Sequence, residues 1–192
     1  MPPPDASNPP PEPWHSFFKE LDAIASKEIR LVCVGGFVFT ALYGLARATA
    51  DVDVFSMVPL QQGRELLEKA QQGSKLHQKH RVYLQYVGGI VSIPFNYDER
   101  LVEIYAGLYH RLRFFALEAH DLALSKLSRN APKDREDILY LARTVPLDLE
   151  TLETRYAEEL RSSLVGPPER HDATLDLWLE MIREDRAKRT IK

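Results

Sequence analysis

A chain of 192 residues is long enough for one domain with a buried core, or for such a core with a helical appendage. Its 44% hydrophobic and 28% charged residues are those of a globular protein, and a net charge of −3 gives the chain as a whole no electrostatic pull toward nucleic acid. The lone cysteine, Cys33, excludes an intramolecular disulfide and a cysteine-based zinc site. No apolar stretch reaches the length of a membrane span and no basic-then-apolar leader opens the chain, so the expected compartment is the cytoplasm.

Residues 1–13 are dominated by proline, from Pro2 to Pro13, and are expected to form an extended or disordered tail. From Trp14 the pattern changes. Phe17, Phe18, Leu21, Ile24 and Ala25 recur at helical spacing, which predicts an amphipathic helix over 14–26. Ile29 to Val34 reads as a buried strand, Phe37 to Leu45 as a short buried helix, and Val52 to Val58 as a second strand. Pro59 opens a polar helix that ends near Gly73. Alternation over 81–87 predicts a third strand, and Gly88-Gly89 sets it apart from residues 90–93, where a hairpin or bulge fits. Residues 96–101 read as a connector and 112–117 as a last strand. Helices are then expected over 119–128, 132–143, 149–164 and 171–186, with Pro146 and Pro167-Pro168 at the breaks.

The chemistry-bearing residues lie between the first two strands. A hydrophobic run ends in Gly35-Gly36, and Asp51 and Asp53 open the next run. Side chains at i and i+2 of a strand share a face, so the two carboxylates project together. Two glycines leave backbone N–H groups open to a phosphate, and carboxylate oxygens suit Mg²⁺. Each residue also has a plainer reading. Asp favours turns before strands, Gly-Gly makes tight turns, Arg47 would pair with a nearby aspartate, a helix lysine such as Lys126 is usually solvated, and Asp134 and Asp137 suit a helix start. His77 and His80 lie three apart and would share a face if that segment were helical, but they have no third metal ligand nearby, and the basic cluster Lys75, Lys79, His80 and Arg81 fits either an RNA contact or a charged surface.

Gly35-Gly36 followed by Arg47-x-Thr49-x-Asp51-x-Asp53 resembles the signature of the nucleotidyltransferase superfamily that includes DNA polymerase beta, and more closely the AbiEii-like nucleotidyltransferases of bacterial toxin–antitoxin and phage-defence systems. Asp121-Leu122-Ala123-Leu124-Ser125-Lys126-Leu127 is similar to that family's D-L-x-x-x-K-L helix, and Lys133-Asp134-Arg135-Glu136-Asp137-Ile138 to the helix that follows it. The resemblance implies an α+β fold. A mixed, mostly antiparallel sheet with flanking helices would occupy residues 14–118, and a helical region 119–192. It implies transfer of a nucleoside monophosphate from an NTP with Mg²⁺ or Mn²⁺ as cofactor. Asp51 and Asp53 would be the metal ligands and, with Lys126, the catalytic residues. Gly35, Gly36, Arg47, Thr49, Lys126 and Asp134 would bind the nucleotide. The acceptor would be a tRNA 3′ end or a protein hydroxyl, and the partner a cognate toxin or antitoxin; no membrane is implied.

The chain departs from that superfamily at one point. A third carboxylate is usual on a later strand, and the matching strand carries Gln85 at its centre. Glu103 and Asp98 are acids that the sequence does not place there. The alternative function is therefore a catalytically weak relative that works by binding a partner protein.

Overall fold

A computed structural model describes residues 8–47 and 49–190, and these form two units. Residues up to Ile90 combine with Leu101–Leu117, and Val91–Arg100 combine with the chain from Glu118 onward.

The first unit is built on a five-stranded sheet in the order β3-β2-β1-β5-β4. Its strands are β1 (Ile29–Val34), β2 (Asp51–Val58), β3 (Tyr83–Tyr86), β4 (Val102–Ile104) and β5 (Leu112–Ala116). β1 runs antiparallel to β2 and parallel to β5; β2 runs parallel to β3, and β4 antiparallel to β5. The sheet is thus mixed, with parallel and antiparallel pairs in equal number. β1 is central and buried at every position except half-buried Arg30, which explains why the rest of its sequence is apolar. Helices α1 (Trp14–Ile24), α2 (Gly35–Ala41), α3 (Leu60–Ala70) and α4 (Lys75–His80) complete the unit.

Aromatic side chains dominate one part of its core. Phe18 packs on Phe114 at 4.5 Å between ring centroids, Trp14 on Phe37 at 5.0 Å, and Tyr105 and Tyr109 close the cluster. Asp22 ties α1 to the entry of β5, its carboxylate accepting the N–H groups of His110, Arg111 and Leu112 at 3.0, 2.7 and 2.9 Å. Residues 1–7 of the proline-rich segment lie outside the described residues. Residues 8–13 are placed against the unit: Pro10 is buried and the Pro11 carbonyl accepts the Trp14 N–H at 3.0 Å.

The second unit contains α5 (Ala119–Leu124), α6 (Pro132–Thr144), α7 (Leu149–Arg155) and α8 (Pro168–Thr190). Residues 91–100 belong with these helices for an electrostatic reason. Arg100 forms two bonds to buried Asp121, at 2.9 and 3.1 Å, and reaches Glu159 at 2.7 Å; Arg155 holds Asp121 from the other side at 2.9 Å. The helix expected over 149–164 is interrupted after Arg155 by a wide turn at Tyr156–Leu160 and a tight one at Arg161–Ser163. The helix expected over 119–128 stops at Leu124, where the Ser125 hydroxyl bonds the Leu122 carbonyl at 2.7 Å and competes with helical pairing. Residues 90–93 form no strand after Gly88-Gly89; a turn closed by the Ile90 N–H on the Val87 carbonyl takes the place of the expected hairpin or bulge.

Candidate active site

The Gly35-Gly36 pair opens α2 directly from the end of β1. Gly35 has φ +68°, a conformation that glycine adopts without steric cost. It also lies against Asp53. A Cβ at Gly35 would overlap Asp53 Oδ2 and approach Cγ to 3.2 Å. A Cβ on Gly36 would meet Thr49 Oγ1 at 3.5 Å and Arg47 Nη2 at 3.7 Å. The glycine bend therefore lies against Asp53 on one side and beside Thr49 and Arg47 on the other.

Asp51 and Asp53 occupy alternate positions of β2, with Val52 and Val54 buried on the opposite face. Asp53 is in register with Val34 on one side and Gln85 on the other, and Asp51 with Tyr83. Thr49 donates its hydroxyl to Asp51 Oδ1. Two electrostatic consequences mark where these carboxylates are. Burial, and then the charges of Asp51 and Asp53, hold the Tyr83 phenol above its ordinary range. Burial, and then Asp53, push the Cys33 thiol far up, so the buried cysteine is inert.

Gln85, on the strand where the resemblance calls for a third carboxylate, is in register with Asp53. Glu103 does not replace it. It sits on β4, the far edge of the sheet, and is paired with Arg113 at 2.5 Å. Asp98 belongs to the second unit. Among the described residues no three His, Cys, Asp or Glu side chains gather as a metal cluster. The donor set at hand is two carboxylates on one face with a neutral amide beside them. It suits one hard divalent ion completed by water and phosphate oxygens, since Mg²⁺ keeps several of its waters.

Two cavities adjoin this group within the same unit. One, of about 540 Å³, is lined by Arg47, Thr49, Thr40 and Arg81 with an apolar wall from Pro11 to Trp14. The other, of about 340 Å³, lies at Tyr83–Tyr86 with Leu67, Gln71 and Gln72. Tyr83 and the Pro11–Trp14 wall were not among the expected site residues. Tyr83 could have been found from its place two residues before Gln85 on the same strand face; the wall has no local signal.

The second unit holds the remaining expected residues. Lys126 is 6% exposed, and its ammonium pairs with Asp137 at 2.9 Å and with Asp134 at 3.3 Å. Asp134 also takes two bonds from Arg129, at 2.9 and 2.5 Å, and caps its own helix through the Ala131 N–H at 2.9 Å. Burial opposes the ionised form of Asp134, and these donors outweigh it, so the carboxyl titrates below its ordinary range. Lys126 is thus buried and paired rather than solvated, and Asp134 both caps its helix and meets Lys126. In the first unit, Lys79 and His80 pair with Glu20, and His77 Nδ1 accepts the Gly73 N–H at 2.9 Å. The two histidines serve local structure there.

The family model described as nucleotidyltransferase of unknown function (DUF6036) matches residues 15–186. The chain belongs to this nucleotidyltransferase family. No curated protein and no solved structure matches it. The matched span takes in the glycine bend, both aspartates, Lys126 and Asp134, so membership rests on both units rather than on the Asp-x-Asp pair alone.

Proposed function

We propose that this family member transfers a nucleoside monophosphate from an NTP to a hydroxyl, with Asp51 and Asp53 holding Mg²⁺ or Mn²⁺ against the phosphates. The observation that carries the reading is the packing of the Asp53 carboxylate on Gly35, with Asp51 on the same strand face. When bound, the ion would neutralise the triphosphate and polarise the reacting phosphoryl group. The chain's own residues do the rest. Thr49 orients the Asp51 carboxylate through its hydroxyl bond. Arg47, packed beside Gly36, supplies positive charge for the phosphates, and the Gly35-Gly36 backbone lets them approach closely. Gln85 adds an oxygen ligand or a hydrogen bond without adding charge. The motif order supports an AbiEii-like toxin–antitoxin component whose acceptor is a tRNA 3′ hydroxyl or a hydroxyl on a partner protein.

The position of Gln85 also favours a second reading, a catalytically weak member that binds a cognate toxin or antitoxin. One experiment separates the two. The protein is incubated with each α-labelled NTP, Mg²⁺ or Mn²⁺, total tRNA and the product of the adjacent gene. Label transfer that disappears in Asp51→Asn and Asp53→Asn supports the enzyme. Tight binding of the neighbouring protein with no transfer to any acceptor supports the second reading.

A further inference from the structure

We propose that the cavity of about 540 Å³ lined by Thr49 and Ala50, the residues that lead into Asp51, is the subsite for the nucleoside half of the nucleotide, walled by the N-terminal segment Pro11–Trp14 and by Arg81. The proposal rests on the reading of Asp51 and Asp53 given above. Thr49 and Arg47 line this cavity and also touch the glycine bend, so it continues from the phosphate side of the site. Its volume lies within the roughly 300–1,000 Å³ usual for small-molecule sites. Pro11, Pro13, Trp14 and Val82 give it an apolar wall suited to a base and a ribose.

The polar groups in the wall match a base. Arg81 ends α4 two residues before Tyr83, the strand partner of Asp51, and its guanidinium has no carboxylate partner among the described residues. A guanidinium plane stacks on aromatic faces and donates to ring acceptors. Trp14 is 5% exposed, and its indole N–H has no acceptor among the described residues. The Glu12 carboxylate offers acceptors for base N–H groups, and the Ser16 hydroxyl and N–H keep it ionised. Those Ser16 bonds at 2.8 and 3.2 Å, with the Trp14 N–H on the Pro11 carbonyl, preform the wall.

Calorimetric titration with Mg·NTPs and with Mg·tripolyphosphate tests this. The proteins are wild type, Ala50→Trp, which fills the cavity from an exposed position, and Arg81→Ala. Both variants should bind the preferred NTP about tenfold or more weakly and bind tripolyphosphate as wild type does. The unchanged tripolyphosphate affinity shows that they are folded. NTP affinity unchanged in both variants, or equal loss of NTP and tripolyphosphate, overturns the nucleoside subsite. A wild-type protein that binds neither ligand overturns the underlying reading of Asp51 and Asp53.

Discussion

Gly35→Ala is the sharpest local test of the site. The φ of +68° costs a non-glycine residue about 1–2 kcal/mol. The added methyl must also clear the Asp53 carboxylate, whose Cγ would lie 3.2 Å from the new Cβ and whose Oδ2 would overlap it. Restoring ordinary contact needs a shift of about 1 Å in the carboxylate or the bend. A misplacement of that size costs on the order of 100-fold in a positioned reaction. The predicted signature is therefore asymmetric. The melting temperature falls by roughly 2–8 °C, at about 2–4 °C per kcal/mol for a chain of this size. Transfer from α-labelled NTP under single-turnover conditions falls by about two orders of magnitude. Differential scanning fluorimetry and the transfer assay measure the two effects on one preparation. Wild-type transfer in a folded Gly35→Ala protein would refute the argument that the bend and Asp53 act as one unit.

Three further predictions follow from neighbouring contacts. Gln85→Asp places a third carboxylate beside Asp53, so Mn²⁺ affinity measured by calorimetry should rise at least about tenfold; an unchanged or weaker affinity would show that the Gln85 side chain does not face the ion. Lys126→Met leaves Asp134 and Asp137 buried without that cation and should cost roughly 3–5 kcal/mol in urea unfolding, whereas a loss under about 1 kcal/mol would mean the charges are compensated elsewhere. Burial opposes ionisation of Glu118, but the His120 hydrogen bond and the charges of His120 and Arg155 outweigh it and lower its carboxyl from 4.5 to about 2. A depressed carboxyl stabilises the fold above its unfolded value, and this stabilisation is lost as pH falls from about 4.5 toward 2. Glu118→Gln should flatten that part of the stability profile, and an unaltered slope would contradict the assignment.

The parts of this protein that could be read from its sequence are those where one local pattern fixes the geometry. The apolar run Leu31–Val34 of β1 announces a central strand, and the spacing of Asp51 and Asp53 puts both on one face whatever surrounds them. Gln85 was expected in the third position, and the parallel register of β3 on β2 sets it beside Asp53. Features that depend on distant partners were not readable. β4 is a three-residue edge strand that exists because β5 offers it a partner. Residues 91–100 look like a linker, yet Arg100 commits them to Asp121 and Glu159 in the helical unit. Pro11 and Trp14 wall a cavity reached through folding, since Trp14 is held there by Phe37 and nothing in the prolines signals a ligand. Helix α4 was hidden because only Leu76 is buried, which leaves too little apolar periodicity to detect.

The most direct test of the account is equilibrium binding of an NTP with and without Mg²⁺ to the wild-type protein and to Asp53→Asn. Metal-dependent binding of one nucleotide per chain, weakened at least about tenfold by this neutral and nearly isosteric substitution, is the predicted result. Equal affinity in the two proteins, or binding indifferent to the ion, would contradict the claim that this strand face grips a metal–nucleotide complex.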